Sequence, residues 1–189
     1  AYLIEQIPMS FYITQLFTNQ SEIRTRGDGK TVVYNDNLSQ LKLDRTTNVV
    51  TFFENRSGEE TLLYTNNLTQ TFNQMKRLGG WQLGVSLFSV DLNNNIVDFV
   101  RYVDSYPILS SGKEGFTQIK ANTNGIEKMR TSSLIAQTPL PTKSKKVTVV
   151  GGKTIVTEML NEGFVMNEIE DIRIGYSWTI SSESVQIVE

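Results

Sequence analysis

Apolar residues along 81–92 fall at Trp81, Leu83, Val85 and Leu87 and then change parity to Phe88, Val90 and Leu92. Period-two spacing is that of a β-strand, and the change of parity predicts a strand covered on both faces or a bulge near Leu87. Asn93, Asn94 and Asn95 supply a turn, after which Val97, Phe99 and Val103 alternate with Ile96, Val100 and Tyr102. The hairpin over 80–109 therefore reads as the centre of a sheet. A second alternation lies near the end, where Ile172, Ile174, Tyr176, Trp178 and Ile180 interleave with Asp171, Arg173, Gly175, Ser177 and Thr179. It predicts a strand over 172–180 with one dry face, the clearest strand of the chain.

Helical spacing occurs three times. Pro8 in a first turn, followed by Met9, Ile13, Leu16 and Phe17, predicts a helix with one buried stripe. A helix over 67–78 follows from Leu68, Phe72, Met75 and Leu78, with Thr65 or Asn66 as cap, Lys76 and Arg77 at the negative end of the dipole and Gly79 and Gly80 as stop. A shorter helix over 154–161 carries Ile155, Met159 and Leu160 and ends at Gly163. Short strands are predicted over 31–34, 40–43, 48–53, 116–121 and 126–135, with a turn at Asn124 and Gly125 and another strand over 185–188.

Frequent hairpin turns without long parallel crossovers give an α+β class of antiparallel β-sheets backed by short helices. The composition break at 56–60, RSGEE, divides the chain into two small domains, a helix plus β-meander over 1–60 and an α+β domain over 61–189. The polar stretch 138–146 reads as a surface linker within the second.

Composition then removes chemistry. None of the 189 residues is His or Cys, which excludes Ser-His-Asp and Cys-His catalysis, zinc or haem held by those ligands, and dithiol redox work. With 18 basic and 20 acidic residues the net charge is -2, so no basic field for nucleic acid is expected. No apolar run reaches the ~20 residues that span a bilayer. The chain opens at Ala1 and closes in a strand pattern, as expected of a segment of something longer.

Carboxylates are the remaining catalytic option: Glu59 and Glu60, Asp98 and Asp104, and Glu168, Glu170 and Asp171. A glycosidase needs two of them about 5–9.5 Å apart across a cleft, and nothing in the spacing brings a pair together. The last three lack the Asp-x-Asp-x-Asp-Gly loop of a calcium site. No cofactor is implied. Arg26-Gly27-Asp28 is read as a turn, and the Asn-x-Ser/Thr triplets as chance in an Asn-rich chain. Tyr102 and Tyr106 are the candidate partner-binding residues, since exposed Tyr is enriched at hot spots, whereas the alternation places Trp178 in the core.

In order, PMSFYITQLFTN over 8–19, GKTVVYNDNLSQLKLD with FFEN, the helix and stop LTQTFNQMKRLGGW, the hairpin LFSVDLNNNIVDFVRYVDSYPIL and the closing IEDIRIGYSW resemble the YycH family. The chain departs from that pattern before its last helix, where Val149, Val150, Gly151, Gly152 and Lys153 stand in place of a Pro, Ser and acidic start. The resemblance implies the middle and C-terminal extracytoplasmic domains of a YycH/YycI-like fold, 1–60 from the former and 61–189 related to YycI. It implies a non-catalytic accessory regulator of the essential YycG/WalK cell-wall-sensing histidine kinase of Gram-positive bacteria. Its partners would be a YycI-like protein and the kinase, as a homo- or heterodimer, at the outer face of the membrane through an N-terminal anchor outside this chain. A stand-alone ligand-binding or inhibitor domain of the envelope is the alternative, and an envelope hydrolase a third reading.

Overall fold

A computed structural model describes residues 2–55, 64–80, 84–109, 115–141, 147–169, 171–180 and 185–188. The expected strand start at Trp81 and Leu83 and the expected boundary at 56–60 lie outside the described residues.

The chain opens with a strand the hydropathy pattern did not reveal, β1 (Tyr2–Gln6), and the helix α1 (Met9–Leu16) begins behind Pro8, whose missing N–H is not needed there. Tyr12 is the buried residue of α1, while Met9, Ile13 and Leu16 are only half-buried. The polar stretch that follows contains another unexpected strand, β2 (Arg24–Gly27), exposed along its whole length. Then come β3 (Thr31–Asn35), β4 (Ser39–Asp44) and β5 (Val49–Glu54), the predicted meander. Its turns are built by aspartates: Asp28 accepts the N–H groups of Lys30 and Thr31, Asp36 those of Leu38 and Ser39, and Asp44 those of Thr46 and Thr47. Arg26, Gly27 and Asp28 are thus the end of a strand and the start of such a turn.

After α2 (Tyr64–Arg77) come β6 (Val85–Asp91), β7 (Ile96–Val103) and the two-residue β8 (Tyr106–Pro107). The bulge expected near Leu87 is present between Leu87 and Ser89, but β6 is not a sheet centre. It is an edge strand with Leu87 37% exposed, because β7 takes β9 on its other side and, among the described residues, no further strand follows β6.

The predicted strand over 126–135 is two strands, β10 (Gly125–Ser132) and β11 (Leu134–Pro139), following β9 (Phe116–Asn122). Ser133 is the break: its N–H reaches back to the Asn48 carbonyl and the chain leaves one sheet for another. The large sheet runs β2-β3-β4-β5-β10-β9-β7-β6, with β8 on the end of β7. Residues from both sides of 56–60 therefore share one sheet, β5 pairing with β10 from Val49 opposite Ser132 to Phe53 opposite Lys128.

The helix α3 (Gly152–Asn161) buries no residue, so its expected stripe is not a core stripe, and Leu160 is 42% exposed. Of the predicted 172–180 strand only β12 (Ser177–Ile180) forms. Ile172 and Ile174 are exposed because 171–175 pairs with no strand among the described residues, and Tyr176 makes a single parallel bridge to Ile108. With β13 (Val185–Val188), the second sheet runs β11-β1-β13-β12.

The main core lies between α1, α2 and the large sheet, around Tyr12, Phe17, Leu41, Phe52, Met75, Phe99, Ile119 and Met129. A smaller one, Ile108, Leu134 and Trp178, lies beside the second sheet, and Trp178 occupies the buried position its alternation predicted.

Candidate functional site

A two-residue turn joins β7 to β8 and is flanked by the two candidate tyrosines. Asp104 and Ser105 both adopt left-handed backbone, φ 47° and 75°, the form of a type I′ turn, whose twist matches that of the flanking strands. Pairing sets Tyr102 opposite Pro107 and Val103 opposite Tyr106. Since side chains alternate along a strand, Tyr102 and Tyr106 point to opposite faces of this hairpin and do not form one patch. Tyr102 is half-buried, and Tyr106 is 43% exposed.

What Tyr106 joins instead is Tyr176, edge to face with ring centres 5.8 Å apart. Tyr176 is fixed by its neighbours on the Pro107 to Leu109 segment: its N–H donates to the Pro107 carbonyl and its carbonyl accepts from Leu109, both at 2.8 Å. Across the turn the Tyr2 hydroxyl donates to Asp104 Oδ2 at 3.4 Å. Burial, and then the Asp104 charge, raise the Tyr2 phenol above its ordinary value. Tyr2, Asp104, Tyr106 and Tyr176 thus form a corner where the two sheets meet. Sequence reasoning missed Tyr2, which lies in an unpredicted strand, and assigned Tyr176 to a dry face on the strength of its alternation.

Behind the corner sits a buried cation. The Arg101 guanidinium donates from Nη1 to the Leu134 carbonyl at 3.0 Å and lies 5.7 Å from the centre of the Trp178 ring. Burial lowers it to about 10, and the neighbouring Tyr12 phenol is raised by the same cause. Tyr12 in turn donates to the Ser132 carbonyl. Arg101, on β7 of the large sheet, therefore ties that sheet to the second one at Leu134.

The carboxylates singled out from the sequence are held locally. Asp98 accepts from Ser89 and from Gln118, Glu168 from the Val165 N–H, and Asp171 is paired with Arg173. Glu59, Glu60 and Glu170 lie outside the described residues. Among the described residues no three acidic side chains gather to hold a metal ion, and no helix is long and apolar enough to cross a membrane.

Exposed large apolar residues recur along 160–174. Leu160, Phe164, Val165, Met166, Ile172 and Ile174, from the end of α3 onward, are all exposed, Met166 to 63%.

The sequence matches the family described as YycH protein, C-terminal domain, over residues 1–189. Among solved structures, the crystal structure of YycH from Bacillus subtilis is similar, with a TM-score of 0.72 and 14% identity. The match covers 100% of this chain and 50% of that one, so the chain spans half the length of the protein it resembles. No protein of curated description matches the chain.

Proposed function

Since the chain belongs to the YycH family, matching its C-terminal domain from residue 1 to residue 189, we propose that it is a non-catalytic regulatory domain of a cell-wall-sensing two-component system. It acts outside the cytoplasmic membrane, held there by an N-terminal anchor belonging to the full-length protein, and modulates the YycG/WalK-type histidine kinase by contact. The contacts are with a YycI-like partner and with the kinase itself. Family membership over the whole chain carries this reading. The absence of His and Cys from the sequence and the exposed Tyr106 support it, because a protein acting through its surface needs anchors rather than nucleophiles. Regulation further requires that the contact favour one kinase state over the other.

The test is co-purification of the intact membrane proteins. Full-length protein should capture the YycI-like partner and the kinase from native membranes, and Tyr106→Ala should weaken capture by roughly tenfold, the loss typical of a hot spot. If the intact proteins stayed separate, the reading fails. Tyr102→Ala, on the opposite face of the hairpin, reports whether that face contributes as well.

A further inference from the structure

Among the described residues, a polar recess opens beside the C-terminal half of α2. It is a cleft of about 460 Å³ walled by the end of α1, the C-terminal half of α2, the end of β5 and the turn between β9 and β10. That volume falls within the ~300–1,000 Å³ of small-ligand sites. Its walls are rich in side-chain amides: Gln15, Gln70, Asn73, Gln74 and Asn124 all line it, with Arg77 beside them.

Two of these amides hold unspent capacity. Gln74 is 5% exposed and its Nε2 has no hydrogen-bond partner; Gln70, one turn earlier on α2, has a buried Oε1 that likewise has none. Buried polar atoms are as a rule paired, so an unused donor and an unused acceptor on one wall point to something that pairs with them. Residues four apart on a helix face lie about 5–6 Å from each other. Successive same-face groups of an extended peptide lie roughly 7 Å apart, within reach of that spacing. The last torsion of a glutamine side chain is broad, so both amides can turn toward a ligand without leaving a rotamer well.

We propose that this cleft binds a short extended peptide ending in a free carboxylate, its main chain paired with the Gln70 and Gln74 amides and its carboxylate with Arg77. Each residue of an extended chain presents its N–H and its C=O on the same edge, the complement of the two unspent atoms. Arg77 already donates to the Gln15 carbonyl, and a guanidinium with five N–H groups keeps enough for a carboxylate. Glu54 on the β5 wall selects against a second carboxylate there. A saccharide is disfavoured because the rings at the cleft floor, Phe17 and Phe52, are buried edge to face against each other and offer no open platform.

The inference is independent of the kinase contacts, since its test needs only the purified 189-residue chain. Isotope-labelled protein is titrated with tetra-alanine, with its C-terminal amide and with chitotriose, reading side-chain NH2 and backbone amide shifts. Tetra-alanine at millimolar concentration should shift the Gln70 and Gln74 resonances, and either amidation of the peptide or Arg77→Gln should weaken binding roughly tenfold. Gln74→Met keeps the length and shape of the side chain without the amide and should abolish the response while the protein stays folded. Absence of shifts with tetra-alanine, equal binding to Gln74→Met, or shifts with chitotriose in place of the peptide would each overturn the proposal.

Discussion

Tyr12 and Gly175 show how single residues hold this molecule together. The Tyr12 hydroxyl donates to the Ser132 carbonyl in the interior, and burial raises the phenol above its usual 10.0. The folded chain therefore keeps a proton that the unfolded chain releases near that pH, so the stabilisation is complete below it and is lost as the pH climbs further. Tyr12→Phe removes both the hydrogen bond and this dependence. Urea denaturation near pH 7 should show a loss of about 1 kcal/mol, and the gap to the wild type should shrink by up to about 1.4 kcal/mol per pH unit above 10. The depressed Arg101 acts in the opposite sense over the same range, and comparison at equal pH largely cancels it. A gap that does not change with pH would show that Tyr12 ionises as readily in the folded state. At Gly175 a Cβ would lie 2.7 Å from the Pro107 carbonyl and 2.8 Å from the Leu109 side chain. Gly175→Ala should cost about 1–3 kcal/mol by overpacking, read as a lower melting temperature, and should loosen Tyr176 from its place beside Tyr106. None of this was legible at Gly175, because the alternation around it only said strand, and the close approach comes from a segment some seventy residues away.

The element α2 was predicted in place and nearly in length, but the face it buries is its apolar stripe only in part and takes in a polar row beside it. Met75 and Leu78 are buried as expected, yet Phe72 is 36% exposed, while Asn67 and Thr71 are 0% exposed and Gln74 5%. The helix is turned so that a polar row faces the sheet, and Thr71 satisfies its hydroxyl on the Asn67 carbonyl. Neither polar atom of the Asn67 side chain has a partner. Asn67→Leu, which keeps the branching at Cγ, should therefore raise stability by about 1–2 kcal/mol in a denaturant titration; a loss would mean that the amide has a partner in solution. The bulge of β6 was readable because parity is a local property of the strand. Its position at an edge was not, since β6 and a central strand can carry the same letters. The same holds for 171–175, where the alternation is present and, among the described residues, the pairing strand is not.

At the scale of the whole molecule, β5 pairs with β10, and one core draws on Leu41, Val50 and Phe52 as well as Phe99, Ile119 and Met129. A fragment of residues 61–189 loses that strand and half of that core, so it should give a poorly dispersed amide spectrum and no cooperative melt. Dispersed signals and a sharp melt would instead mark two independent units meeting at 56–60, as the composition break there suggests. The sequence by itself determined the α+β class, the meander, the three helices described above, the hairpin with its bulge, the buried Trp178 and the lack of imidazole and thiol chemistry. Each of these follows from residue type or from spacing over a few neighbours, which local sterics and periodicity enforce. Only the tertiary structure decided that Tyr106 meets Tyr176 rather than Tyr102, that Arg101 lies between two sheets, and that the amides of α2 border a cleft. Those outcomes depend on which distant strands pair and which face of a helix is turned inward, and such choices are settled by packing across the whole chain.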